Sequence, residues 1–188
     1  MAETPRCPVT VDEIEDFFFK AMVSSSWASD GQCVEIELGD LYKHKEFSFY
    51  GDGFWMVDRF CGNDYCSQSF GTTSILVWDG DLQKWQPVWA MQYSGWYEKE
   101  AVPFLKLALM ENYAKRIFHG GRGPRDFEID DCQFQYSCVS HRGYIGDLVR
   151  GRGTSFNRFW GNEGIRDNDN GGRIVGEYQF SGQILLPR

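Results

Sequence analysis

Apolar and polar positions alternate with period two through Pro87-Val88-Trp89-Ala90-Met91-Gln92-Tyr93-Ser94-Gly95. In an extended chain this puts Val88, Ala90, Gln92 and Ser94 on one side and Trp89, Met91 and Tyr93 on the other. One face of the predicted strand is therefore large and apolar. A related cadence returns in Arg173-Ile174-Val175-Gly176-Glu177-Tyr178-Gln179-Phe180-Ser181-Gly182, where Gln-Phe-Ser-Gly at 179–182 answers Gln-Tyr-Ser-Gly at 92–95. The echo predicts a duplicated unit, each copy ending in a strand with an aromatic residue two places before a glycine.

The remaining pattern supplies the other elements. Thr10 and Glu13 form a capping box ahead of Ile14, Phe17, Phe18 and Met22, a helix that fades at Ser24-Ser25-Ser26. A short strand follows at Val34–Leu38. Phe47–Tyr50 and Phe54–Phe60 flank the turn Gly51-Asp52-Gly53, Gly62-Asn63-Asp64 breaks the chain, and Thr72–Trp78 and Trp85–Gly95 flank Asp79-Gly80-Asp81. That predicts four antiparallel strands. A second helix begins near Pro103, keeps Leu105, Ala108, Leu109, Tyr113 and Ile117 on one side, and ends at Gly120-Gly121. Strand signals resume at Phe127–Ile129, Gln133–Ser140, Tyr144–Val149, Ser155–Trp160 and Ile174–Leu186, with the last hairpin turn at Asn168–Gly172. The expected fold is α+β in one domain spanning 1–188. Two units, about 10–96 and 100–186, each a helix plus a four-stranded antiparallel set, form a large curved or barrel-like sheet packed by two helices.

Composition sharpens this in three ways. Seven Trp, nine Tyr and fifteen Phe among 188 residues exceed ordinary core needs, so some rings are expected to line a concave site or an interface; a β-rich core is the alternative source. A net charge of −8 argues against a general nucleic-acid binder. The local exception is His141 to Arg158, where Arg142, Arg150, Arg152 and Arg158 face only Asp147; the run reads as a phosphate- or carboxylate-contacting loop or as a solvated Gly-rich one. No segment has the apolar length of a membrane span, and the start lacks the apolar core of a secretion signal, so the expected location is cytoplasmic. The scattered cysteines 7, 33, 61, 66, 132 and 138 are expected to be free thiols.

The succession Phe-x-Phe-Tyr-x-x-Gly, Val57-Asp58-Arg59-Phe60-x-Gly62, Pro87-Val88-Trp89-x-Met91-x-Tyr93-x-Gly95, Arg122-Gly123-Pro124-x-x-Phe127, Phe159-x-Gly161-x-Glu163 and Tyr178-x-Phe180-x-Gly182 resembles an uncharacterised bacterial domain family. That family occurs alone and fused to helix-turn-helix transcriptional regulators. The resemblance spans roughly residues 10–184 and implies a free-standing version here, with no activity attached. Two departures stand out. Where the family carries Gly-x-Glu in the first unit, this chain has Thr72-Thr73-Ser74, and Leu82–Trp85 lengthen the turn before Pro87. Glu163 in the second unit keeps the family's carboxylate.

Candidate chemistry rests on few residues. Asp58 shares a strand face with Met56 and Phe60; buried there, it would have a raised pKa and suit acid/base work, or be held in an ion pair by Arg59 or Arg122. Glu163, beside Trp160-Gly161, is the other candidate acid or base, or a cap for backbone amides in a turn. Gln92 and Gln179 occupy matching places that would either contact a ligand amide together or face solvent.

Metal and nucleophile motifs are weak. His44, His119 and His141 stand in no zinc-protease arrangement, Cys61-x4-Cys66 and Cys132-x5-Cys138 lack the short knuckle of structural zinc, and Asp167–Gly172 begins like a calcium loop but has Tyr178 at its twelfth position. His119 reads as a helix-dipole partner. A cysteine nucleophile at Cys138 with His141 nearby stays open in principle, although on a strand the two would point to opposite or offset faces. No metal or cofactor is expected. The leading reading is a small-molecule-binding domain with a pocket of Trp55, Trp89, Tyr93, Trp96, Tyr136 and Tyr178, oriented by Asp58, Arg122 and Glu163, with Gln92 as a further contact. The alternatives are an enzyme using Glu163 or Asp58 on a small molecule, and a protein-interaction module. The expected partner is a small ligand, without nucleic acid or membrane, and homodimerisation is left open.

Overall fold

The computed structural model describes residues 9–38, 42–62, 67–142 and 156–186. The expected strand at Tyr144–Val149, the Asn63-Asp64 break, Arg150, Arg152, Cys7 and Cys66 lie outside these residues.

Helix α1 (Val11–Ser25) opens on the expected capping box: the Thr10 side chain accepts from the Glu13 amide, and the Glu13 carboxylate accepts from the Thr10 amide. Two of the orphan donors of the first turn are thereby satisfied. The helix buries Ile14, Phe17, Phe18 and Met22, and ends where the Ser26 hydroxyl donates to the Met22 carbonyl (2.6 Å). Strands β1 (Cys33–Leu38), β2 (Tyr42–Gly51), β3 (Phe54–Gly62), β4 (Gln68–Asp79) and β5 (Lys84–Tyr97) then run as an antiparallel meander. Asp52 and Gly53, both at positive φ, make the β2–β3 turn.

After a 3-10 turn at Lys99–Ala101 comes α2 (Val102–Lys115), with Pro103 in its first turn. It is closed by Arg116 in the left-handed conformation (φ 57°, ψ 41°), earlier than the expected end at Gly120-Gly121. Ile117 thus lies past the helix and is exposed, off the apolar face assigned to it. Strands β6 (Asp126–Phe127), β7 (Phe134–Arg142), β8 (Arg158–Asp167) and β9 (Arg173–Ile184) complete the fold. Strand β8 continues seven residues beyond Trp160, so Glu163 stands in mid-strand, not in a turn. The expected hairpin turn joins β8 to β9, with Gly171 and Gly172 at positive φ.

Among the described residues, nine strands form one antiparallel sheet in the order β1-β2-β3-β4-β5-β9-β8-β7-β6. The sheet is open, with β1 and β6 at its edges, which corrects the barrel-like closure. At its centre β5 pairs with β9 so that Tyr93 faces Phe180, Gln92 faces Ser181 and Ser94 faces Gln179. A register shift opposite Ile75/Leu76 lets Pro87 sit within β5 and turns Val88 inward, so Val88 and its neighbour Trp89 are both buried. Strict alternation had put Val88 on the opposite side from Trp89.

One sheet face joins the helices in a single apolar core. Phe17 stacks on Phe54 (5.0 Å between centroids), Phe18 packs on Trp89 (5.2 Å) and Phe104 on Phe127 (5.5 Å). The other face carries the half-buried or exposed rings of Trp55, Phe70, Trp78, Trp96 and Trp160.

Candidate functional site

Alternation along β3 sends Asp58 to the helix-side face with Phe54, Met56 and Phe60, leaving it 5% exposed. The β3–β4 register places Thr73 opposite it, and the Thr73 hydroxyl donates to Asp58 Oδ1 (2.9 Å). Tyr93 reaches the same oxygen from β5 (2.7 Å). Tyr93 does so by leaning over Gly71, its register partner: a Cβ at Gly71 would lie 2.5 Å from the Tyr93 hydroxyl oxygen. Burial pushes the Asp58 pKa upward, and the Tyr93 and Thr73 hydrogen bonds and the Arg122 charge offset only part of that rise.

Arg122 enters from the loop behind α2. The Asn112 side chain donates to the Arg122 carbonyl (3.0 Å), and the Tyr113 hydroxyl donates to the Gly121 carbonyl (2.9 Å). Gly120 and Gly121, at φ +67° and +70°, supply the left-handed turns this loop needs. The guanidinium donates through Nε (2.8 Å) and Nη2 to Glu163 Oε1. Its carbon lies 5.6 Å from the ring centres of both Tyr93 and Tyr178. Glu163 is 1% exposed and also receives the Tyr97 hydroxyl on Oε1 (2.6 Å) and the Tyr136 hydroxyl on Oε2. Burial, followed by the Glu163 charge, keeps the Tyr97 and Tyr136 hydroxyls well above the usual phenol range, so both remain donors. For Arg122, burial is the largest single influence and opposes the charged form, but the Glu163 charge and hydrogen bond together with Tyr97 and Tyr113 outweigh it, and the guanidinium stays protonated.

Between this polar row and the helices lies a cavity of about 160 Å³. Asp58, Thr73, Tyr93, Tyr97, Arg122 and Tyr178 line it from the sheet side, while Met22, Val102, Leu105, Leu109 and Tyr113 line it from α1 and α2. Half-buried Trp27, Phe60 and Ser69 and exposed Ser67 carry the lining to the surface. An engineered cavity of about 150 Å³ holds benzene, so the space admits one ring-sized group.

The sequence-predicted residues divide among three places. Asp58, Tyr93, Tyr178 and Arg122 meet at the cavity. Glu163 and Tyr136 stand behind Arg122, outside the lining. The rest go elsewhere. Trp89 is a core filler, stacked on Phe156 (5.1 Å) and Phe159 (5.9 Å) and donating Nε1–H to the Phe156 carbonyl (3.3 Å). Trp55 points to the opposite face, where it stacks on Tyr50 (5.1 Å) and donates to the Ser48 hydroxyl (2.8 Å). Trp96 and Gln92 are also on that face because they alternate with buried Tyr97 and Met91, and Gln92 donates to the Ser181 hydroxyl (3.1 Å). Gln179 is exposed there too. These placements correct the six-aromatic pocket.

Thr73, Tyr97, Leu105, Leu109 and Tyr113 were missed as lining residues. Tyr97 was signalled by its spacing, two places past Gly95 and in phase with Tyr93.

The remaining candidates resolve simply. His119 does not serve a helix end; its Nε2 meets the Cys138 carbonyl (3.1 Å). Cys138 is fully buried and burial pushes its thiol up to about 12, whereas His141 stacks on Trp160 on the other face. Cys33, Cys61, Cys132 and Cys138 are free thiols. Among the described residues no three or more His, Cys, Asp or Glu side chains gather into a metal-holding group, and no helix is long and apolar enough to cross a membrane. Comparison with family models, curated proteins and solved structures found no match.

Proposed function

We propose that this chain is a small-molecule-binding domain built of two related units, and that its ligand lies between sheet and helices against Asp58, Tyr93 and Tyr178. The observation that carries this reading is Asp58 itself. A carboxylate 5% exposed, with no ion-pair partner among the described residues, borders a cavity of ring size. Leaving a polar group in such a position costs free energy that a core-packing role would not require, whereas a binding site uses a few oriented polar groups in an apolar enclosure.

The register supports the relation between units. The corresponding residues Tyr93 and Phe180 of the two Gln-aromatic-Ser-Gly segments face one another across β5–β9, and each leans over a glycine partner, Gly71 or Gly161. A two-fold relation between halves would produce this pairing. Free thiols at Cys33, Cys61, Cys132 and Cys138 support a reducing compartment, the cytoplasm.

Thermal shift against a library of single-ring compounds tests the reading. Stabilising compounds are expected to lose their effect in Val102→Trp, which fills the cavity from α2, and to keep it in Trp96→Ala on the other face. A library that stabilises nothing, or hits that survive Val102→Trp and vanish in Trp96→Ala, overturns it. The raised pKa of Asp58 favours a second reading, acid/base catalysis on the bound molecule. Product formed by the wild type and lost in Asp58→Asn would establish that reading; recovery of every bound compound unchanged excludes it.

A further inference from the structure

The charges around the cavity define the chemistry of its ligand. Arg122 brings one positive charge, and Glu163, bonded to it through Nε and Nη2, cancels it. Tyr97 and Tyr136 are neutral donors to Glu163, and Tyr113 and Tyr178 add no charge. At the mouth Lys106 lies over the Trp27 ring (4.9 Å) and is paired with Asp30. What remains is the single carboxylate of Asp58, whose described partners, the Tyr93 and Thr73 hydroxyls, are both neutral and both on Oδ1.

The strand registers sharpen this imbalance. Asp58, Thr73 and Met91 form one row across β3, β4 and β5; Cys138, Glu163 and Tyr178 form the matching row across β7, β8 and β9. In the second row the carboxylate is met by a guanidinium set between aromatic rings. In the first row, among the described residues, no cation meets Asp58, and the cavity occupies that side.

We propose that the cavity binds a small organic cation, a primary ammonium or amidinium on a ring-sized apolar body, with its charge against Asp58 and its body among Tyr93, Tyr97, Tyr178, Leu105 and Leu109. This rests on the binding reading above and names its ligand class. An ionised carboxylate in an enclosed site is stabilised by a paired counter-charge, and the phenol rings favour a cation over an anion. With the ligand in place the charges of Asp58, Arg122, Glu163 and the ligand sum to zero. An anionic ligand would instead add a second negative charge beside Asp58.

Titration calorimetry with benzylamine, benzyl alcohol and benzoate at neutral pH tests the assignment, since the three share a body and differ in charge. Benzylamine is expected to bind at least about tenfold tighter than benzyl alcohol, the loss equivalent to about 1.4 kcal/mol for a missing charge pair, with benzoate weakest. Asp58→Asn should remove that advantage, leaving the amine no tighter than the alcohol. Equal affinity for the amine and the alcohol, tighter benzoate, or amine binding that survives Asp58→Asn overturns the cation assignment and leaves the cavity reading standing. Failure of all three to bind overturns both.

Discussion

Asp58 is a carboxylate held where its charged form is disfavoured, and that has a measurable sign. Its folded pKa lies above its unfolded value near 3.9, chiefly through burial, with the Tyr93 and Thr73 hydroxyls and Arg122 opposing the rise and Tyr113 and Tyr178 close by. Between those two pKa values the native state binds more protons than the unfolded chain, so the contribution of Asp58 is most favourable in acid and is lost as pH rises through the folded pKa. Asn keeps an acceptor for both hydroxyls and carries no charge. Asp58→Asn is therefore expected to match the wild type in melting temperature near pH 4 and to exceed it increasingly toward neutrality, as read from thermal melts across that range. A variant less stable than the wild type at neutral pH would show that the hydrogen bonds to the carboxylate outweigh its desolvation.

At the scale of elements, the site depends on glycines in strands as much as on side chains. Gly71 has the Tyr93 hydroxyl where its own Cβ would be, and Gly161 has the Phe180 ring in the same relation, so a missing side chain on one strand is covered by a ring from the next. Gly71→Ala is expected to cost about 1–3 kcal/mol in urea unfolding through overpacking, and Gly80→Ala, which meets nothing within 4 Å at the β4–β5 turn, far less. Equal losses would contradict the account. The same glycines explain what the sequence concealed. Capping, alternation and Asp-Gly turns made α1 and β2 to β5 legible. A glycine carries no side chain to mark a face, so the predicted strand Ser155–Trp160 stops ahead of Gly161 and Glu163 keeps two readings, acid/base group or turn cap, whereas β8 runs on to Asp167. Alternation sorts residues onto two faces without saying which is covered, and here both faces carry aromatics, which is why Trp55 and Trp96 were put in the pocket. The Val88 bulge removed the phase on which the burial of Val88 depended. Arg122 and Glu163, 41 residues apart, were both named, but no local pattern announces their pairing.

For the whole molecule, the open sheet leaves the six-residue β1 as one edge, and its Glu35 and Glu37 set charge along a border that would otherwise invite pairing with another chain. Neighbouring strands in the order β1 to β5 and β6 to β9 are also neighbours in sequence; the exception is the β5–β9 ladder, in which Trp89 faces Ile184 and Tyr97 faces Gly176. Non-local pairing is the slow kind, because the loop must close before the contacts reward it. Gly182, whose Cβ would lie 2.3 Å from the Phe159 ring and 2.7 Å from the Ala90 carbonyl, sits in that ladder. Gly182→Ala is expected to slow refolding in stopped-flow measurements more than Thr10→Ala, which acts only on the start of α1. A larger effect from Thr10→Ala would place the slow event at the first helix. The ladder also sets an order in time. A ribosome delivers β5 long before β9, so throughout synthesis of the second half the nascent chain carries an unpaired inner border, and whichever copy of β9 arrives first, its own or a neighbour's on the same messenger, has the same nine partners waiting.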